Sequence, residues 1–282
     1  MIDLFISPFT DYAFIYRALA ACLILVTGCV PVGVFLVLRR MSLVGDALSH
    51  AVLPGAAIGY LVAGLSLKAM SIGGFTAGLI IALLTGFLSK KTVLKEDATL
   101  AGFFILSLAL GSVIVATGGN SVDLMHFLFG NVLAVNNASL LLIAGTTTFS
   151  LIILSLIYRG LVIDSFDPSY LRVIGGTRSF YYAAFLILVV TNLVAAFQAL
   201  GTLMAIGLMI LPPITAQLWF RSITMIIIGA IAFAFISVYF GLVLSFYLNW
   251  PSGPAIILVG GSLYIPSLLF GKQGSLLRPK LT

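Results

Sequence analysis

Apolar residues fill this chain in long runs, and polar residues fall almost wholly between the runs. A helix needs about 17–25 predominantly apolar residues to cross a bilayer. Nine segments meet that measure, at about 16–38, 43–64, 69–88, 98–116, 138–158, 180–197, 200–220, 223–248 and 254–270. Residues 65–68 read as a tight turn, 89–97 as a polar loop, and Thr117-Gly118-Gly119-Asn120 as a turn cluster. Residues 121–135 are apolar but short, are broken by Gly130-Asn131, and carry Asp123 and His126. They read as an interfacial or re-entrant helix. The longest polar connection runs from 159 to 179. In the seventh segment, Leu211-Pro212-Pro213 removes two backbone donors at membrane depth, which predicts a kink or a break at Pro212 and Pro213.

Composition sharpens this picture. The 282 residues are 61% hydrophobic and 8% charged, against about 25% charged in ordinary globular domains. The expected fold class is therefore an all-α polytopic membrane protein, a single transmembrane domain over residues 1–282. The formal charge of +6 is read through loop position rather than as a sign of nucleic-acid binding. With nine spans, one set of loops holds Arg39, Arg40, Lys90, Lys91, Lys95, Arg159, Arg172, Arg178, Arg221, Lys272, Arg278 and Lys280. The other set holds Arg17 and Lys68. The positive-inside rule then places the N-terminus outside and the C-terminus in the cytoplasm, and a count of eight spans would spoil the split. No basic stretch precedes the first span, so a cleaved signal peptide is not expected. Cys22 and Cys29, within one span, read as small buried hydrophobes.

Against this background Asp46 and His50 stand out. They lie four residues apart in the second segment and project from one helix face, one turn above the other. They follow Arg40 by roughly 9 and 15 Å of helix. An aspartate at membrane depth costs about 2.5–3.5 kcal/mol on insertion scales, so it needs a partner or a watered path. Three readings fit: a hydrogen-bonded pair that locks helices, a proton relay, and ligation of a transition metal such as Zn²⁺ or Mn²⁺. Two ligands are too few for a complete site, and the nine segments contain no carboxylate besides Asp46 to serve as a third. A two-fold dimer would double the set to four.

A second stretch, residues 163–176, carries Asp167 followed by Pro168 and ends in Gly175-Gly176. Aspartate at the N-cap, proline at the first helical position and glycine as a stop predict a short cytoplasmic helix at about 166–176. Its apolar residues include Tyr170 and Leu171, with Arg172 beside them, which suits either an interfacial helix or a knob for a cytoplasmic partner. Elsewhere the chain has no G-x-x-x-x-G-K-[ST] loop, so any ATPase must be a separate subunit. Ser49 and His50, as neighbours on a helix, point about 100° apart and cannot act as nucleophile and base.

The run Met41-Ser42-Leu43-Val44-Gly45-Asp46-Ala47-Leu48-Ser49-His50-Ala51-Val52-Leu53-Pro54-Gly55 resembles the signature of the zinc/manganese-uptake permeases of bacterial ABC transporters. Leu94-Lys95-Glu96-Asp97-Ala98, Phe129-Gly130-Asn131-Val132-Leu133-Ala134-Val135, Ser165-Phe166-Asp167-Pro168, Val173-Ile174-Gly175 and the stretch from Gly201-Thr202-Leu203 to Leu211-Pro212 resemble the same family, in order along nearly the whole chain. Pro213-Ile214 departs from the family's small residues after the proline.

The resemblance implies a type II (vitamin-B12-type) importer fold, working as a homodimer in the bacterial plasma membrane. Two cytoplasmic ATPase copies and an extracytoplasmic metal-binding protein would be its partners, and lipid its surroundings. Asp46 and His50 match the positions implicated in metal passage. Asp167, Pro168, Tyr170, Leu171, Arg172 and Gly175 fall in the element that couples to the ATPase. Asp123 and His126 match residues of an external helix, with no ligand role carried over. The expected function is ATP-driven import of Zn²⁺ or Mn²⁺, with Fe²⁺ open, and no permanently bound cofactor. The alternative is a self-contained secondary or proton-coupled metal carrier with Asp46 and His50 as its relay.

Overall fold

The structure is a computed structural model that describes residues 9, 12–64, 66–91, 96–117, 135–173, 177–273 and 275–277. Among them the chain forms ten α-helices: α1 (Ala13–Leu38), α2 (Ser42–Ala63), α3 (Leu67–Lys91), α4 (Glu96–Thr117), α5 (Asn137–Phe166), α6 (Pro168–Val173), α7 (Arg178–Leu200), α8 (Thr202–Gln217), α9 (Ile223–Leu248) and α10 (Ser252–Phe270). Seven of these, α1, α2, α3, α5, α7, α9 and α10, are long and apolar enough to cross a membrane. The apolar stretches of α4 and α8, Ala98–Gly111 and Thr202–Gln217, are shorter.

Local chemistry starts several helices cleanly. Asn136 Oδ1 accepts from the Ser139 amide at 2.8 Å ahead of α5, and Ser222 Oγ accepts from the Met225 amide at 3.3 Å ahead of α9. Both satisfy amides that have no partner within the first turn of a helix. Between α1 and α2 the chain turns over only three residues. The Met41 amide donates to Leu36 O at 2.9 Å and the Arg40 amide to Val37 O at 3.0 Å. That is the Schellman pattern, with Arg40 at φ 58° where glycine is usual. A non-glycine residue in that region costs roughly 1–2 kcal/mol.

The helix α1 sits at the centre of one packing group, against α5, α7, α8 and α9. A second group forms around α2, which lies mainly on α3 and α4, while α1 and α2 touch each other little beyond their shared turn. α7 and α8 bridge the two groups through contacts to α2, and α7 also reaches α3. The close approach of α2 and α3 depends on missing side chains: a Cβ on Gly55 would overlap the Gly73 carbonyl, and the reverse holds for Gly73. Gly74 and Gly78 face Val52 and Val190 within the same chain, as small-xxx-small spacing permits.

Three sequence expectations need correction. The fifth segment does not stop near residue 158; α5 continues to Phe166, so Arg159 and Asp164 belong to a helix and the connection that follows is short. Asp164 is consequently a buried carboxylate inside a span-length helix, where none beyond Asp46 was expected. Nor does the seventh segment break at Pro212 and Pro213: α8 runs through both to Gln217. Proline deprives the carbonyl four residues back of its helical donor, here Leu208 and Met209. Gly33 of α1 packs onto the Met209 carbonyl so closely that a Cβ there would overlap it. A neighbouring helix thus covers the position the prolines disturb. The expected helix over residues 121–135, with Asp123 and His126, lies in its greater part outside the described residues, as do Leu94, Lys95 and Gly175.

Candidate functional site

Asp46 and His50 occupy successive turns of α2, as their spacing predicts. Asp46 Oδ1 lies 3.8 Å from His50 Nε2, beyond hydrogen-bond range for the pair. The Asp46 side chain is 51% exposed and that of His50 18%. The imidazole stands edge-on to the Phe104 ring of α4, with ring centres 5.0 Å apart. Its Nδ1 is buried and has no hydrogen-bond partner among the described residues. Both groups therefore keep unspent lone pairs: two carboxylate oxygens and, in the neutral ring, one imidazole nitrogen.

Leu43, Asp46 and Ala47 of α2 and Leu100, Ala101 and Phe104 of α4 line a cleft of about 170 Å³. Asp46 is the one ionisable side chain of that lining, and His50 borders it through Phe104. The cleft offers the Asp46 carboxylate on a wall that is otherwise apolar, with the His50 imidazole one turn away on the same helix; oxygen and nitrogen together suit a borderline divalent cation. No group of three or more His, Cys, Asp or Glu side chains gathers among the described residues. Ser49 takes no part: its hydroxyl donates to the Asp46 carbonyl at 2.7 Å and is buried. This is back-bonding within the helix.

The short helix expected after α5 is present as α6. Asp167 Oδ1 accepts from the amides of Ser169 and Tyr170, both at 3.0 Å, which makes Asp167 the N-cap ahead of Pro168. The helix turns Leu171 inward, 1% exposed, and Tyr170 outward, 53% exposed. Arg172 lies on the same turn. A capped helix with one buried anchor and an exposed aromatic is a formed surface element rather than a loose loop.

Two polar contacts have no counterpart in the sequence reading. Asn192 of α7, fully buried, donates through Nδ2 to Ser150 Oγ of α5 at 2.7 Å and to Leu188 O at 2.8 Å. Arg39, the C-cap of α1, pairs with Asp164 of α5, with Nη2 to Oδ2 at 2.8 Å. An intramembrane asparagine and an aspartate near a span end are signals a sequence does carry, but neither names its partner.

The ABC 3 transport family model matches residues 11–271. The chain belongs to the ABC 3 transport family. It is a permease subunit of an ABC transporter and not an enzyme; the ATPase is a separate chain. This permease is 35% identical over 277 residues to the manganese transport system membrane protein MntC of Halalkalibacterium halodurans, which covers 97% of this chain and 93% of that one. It is 30% identical over 270 residues to the chelated iron transport system membrane protein YfeD of Yersinia pestis, covering 96% and 89%. Among solved structures, PsaBC from Streptococcus pneumoniae in complex with Fab superposes with a TM-score of 0.85 at 30% identity, covering 96% of each chain.

Proposed function

We propose that this permease is the membrane-spanning half of an ATP-driven importer for a divalent transition metal, Mn²⁺ or Fe²⁺ before Zn²⁺. The observation that carries the reading is the end-to-end similarity to permeases named for manganese and for iron. The donor pair of Asp46 and His50 agrees with it chemically. In this reading the fold is of the type II importer kind. The spans number nine, made by the seven long helices with α4 and α8, and the N-terminus is outside.

Two copies of the chain work with two ATPase subunits on the cytoplasmic side and a metal-binding protein on the other, in a bacterial plasma membrane. The ion passes Asp46 and His50, which hold it incompletely. Water, or the same pair from the second copy, completes the coordination, so the ion is released as readily as it enters. α6, with Asp167, Pro168, Tyr170, Leu171, Arg172 and Gly175 in and after it, seats on the ATPase and carries its motion into the bundle.

The test is metal uptake by the complete transporter in proteoliposomes loaded with ATP on the ATPase side. Asp46→Asn and His50→Ala should each abolish uptake while the complex stays assembled on size-exclusion. Normal uptake by both variants would remove the pair from the path. Uptake driven by a pH gradient without ATP hydrolysis would replace the importer by a proton-coupled carrier.

A further inference from the structure

We infer that the buried Arg39–Asp164 ion pair positions the metal-path helix for transport, by tying the α1–α2 turn to the end of α5 from which α6 hangs. The inference rests on the proposed function, in which α6 receives the ATPase's motion.

The pair is enclosed. The Arg39 and Asp164 side chains are 8% and 3% exposed, with Nη2 and Oδ2 at 2.8 Å. Arg39 Nε donates to Ser165 Oγ at 3.3 Å, and the guanidinium carbon lies 4.8 Å from the centre of the Phe185 ring of α7. Three helices therefore meet on one arginine. Desolvating two charges costs several kcal/mol per ion, and well-packed apolar replacements of such pairs are often neutral or stabilising. Holding α1 against α5 is thus a task that apolar residues do at lower cost, and adhesion alone does not account for the pair.

Its place in the chain supplies another task. On one side, Asp164 stands three residues before Asp167, and the Asp167 amide still donates to Ile163 O at 2.8 Å. Asp167 is the residue that caps α6. Less than one helical turn of hydrogen-bonded backbone separates the ion pair from α6.

On the other side, Arg39 caps α1, and the Schellman turn through Arg40 and Met41 delivers the chain directly into Ser42 of α2. That turn has no slack, because each of its two amides is bonded back to α1. Asp46 lies on the next turn of α2. The two groups of helices, α1 with α5 and α7, and α2 with α3 and α4, meet at this joint and through the bridging contacts of α7 and α8, with little other contact between α1 and α2. A displacement of α6 accordingly moves Asp164, Arg39 and the root of α2 together, and with them the Asp46–His50 face. Rigid elements joined by specific bonds thus run without a break from α6 to the root of α2, a contiguous network of the kind that can carry coupling.

The experiment uses the full complex, permease with ATPase and binding protein, in proteoliposomes, and reads metal moved per ATP hydrolysed. The variants are Arg39→Gln, Asp164→Asn and the apolar double variant R39M/D164L, each checked for assembly by size-exclusion. We expect each to lower the metal-to-ATP ratio by about tenfold, within the range of measured coupling energies, at an ATPase rate near wild type. A wild-type ratio in any assembled variant, or uptake and ATPase falling in proportion, overturns the inference.

If the two single variants fail to assemble, R39M/D164L decides alone, since it leaves no charge buried without its partner. If that too fails, Arg39→Lys decides: it keeps the charge but loses the Nε bond to Ser165. Because the charge opposite Asp164 is kept, a ratio near wild type in Arg39→Lys supports the ion pair as the positioning contact, and a ratio lowered by loss of the Ser165 bond alone overturns it. A wild-type complex that shows no ATP-dependent uptake would instead defeat the proposed function itself.

Discussion

Gly33 lies where α1 crosses α8, against the Met209 carbonyl that Pro213 leaves without its helical donor. A single methyl there has nowhere to go, because what it meets is backbone rather than the flexible end of a side chain. Gly45 makes the contrast: the nearest atom to an added Cβ is the tip of Ile210 at 3.6 Å, an ordinary contact. Gly33→Ala should therefore lower the melting midpoint of the detergent-solubilised protein by several degrees, since overpacking costs about 1–3 kcal/mol. Gly45→Ala should leave it within error. Fluorescence-detected size-exclusion after heating measures both, and equal midpoints would show that α1 and α8 can separate without penalty. At this scale Asp46 and His50 are legible from sequence because ionisable residues in an apolar helix need a reason to be there. The burial of Arg39 is not legible. Next to Arg40 at a helix end it reads as one of two interfacial charges, and its partner lies four helices further along the chain.

Among the elements, α6 is the one whose formation and role can be separated. Its Asp167 cap and the proline at its first position hold a six-residue helix that is far too short to persist by propensity alone. Loss of an N-cap costs about 0.5–2 kcal/mol. Changing Asp167-Pro168 to Gly-Gly should unwind α6 and leave an ATPase that still hydrolyses ATP while uptake falls away. Unchanged coupling would mean that α6 is not the docking element. The N-terminal signals of this helix are local, so the sequence carries them in full.

The true extent of α5 is not local. Arg159 and Asp164 look like loop residues by polarity, and only tertiary partners, Arg39 above all, turn Asp164 into a helical interior residue. The same holds for α8. Two adjacent prolines argue for a break, and a glycine far earlier in the chain supplies the packing that lets the helix continue.

For the molecule as a whole, hydropathy is nearly sufficient. The nine apolar segments reappear as helices with ends shifted by a few residues, apart from α5, because in lipid a spanning segment must satisfy its own backbone and has few other folds open to it. Which helices pack together is another matter. The division into a group around α1 and a group around α2 has no signature in periodicity, since helices surrounded by lipid and by one another are apolar on every side. The charge pattern does speak to orientation. A short epitope tag at the N-terminus should be labelled by an impermeant reagent on intact cells, and one at the C-terminus only after permeabilisation. The reverse pattern would overturn the orientation proposed above, and both tags on one side would overturn the count of nine spans.

The Arg39–Asp164 pair also has a history within each molecule. A ribosome completes Arg39 long before Asp164 exists, so while α1 and α2 enter the membrane the guanidinium has no carboxylate to meet. During those seconds it stands with Arg40 as a doubled positive charge, the kind of signal that holds a short loop on the cytoplasmic side during insertion. When α5 arrives, one of the two charges is drawn inward and neutralised, and the exposed Arg40 is left at the turn. In the orientation proposed above, the same side chain would steer the nascent chain first and fasten the finished one afterwards.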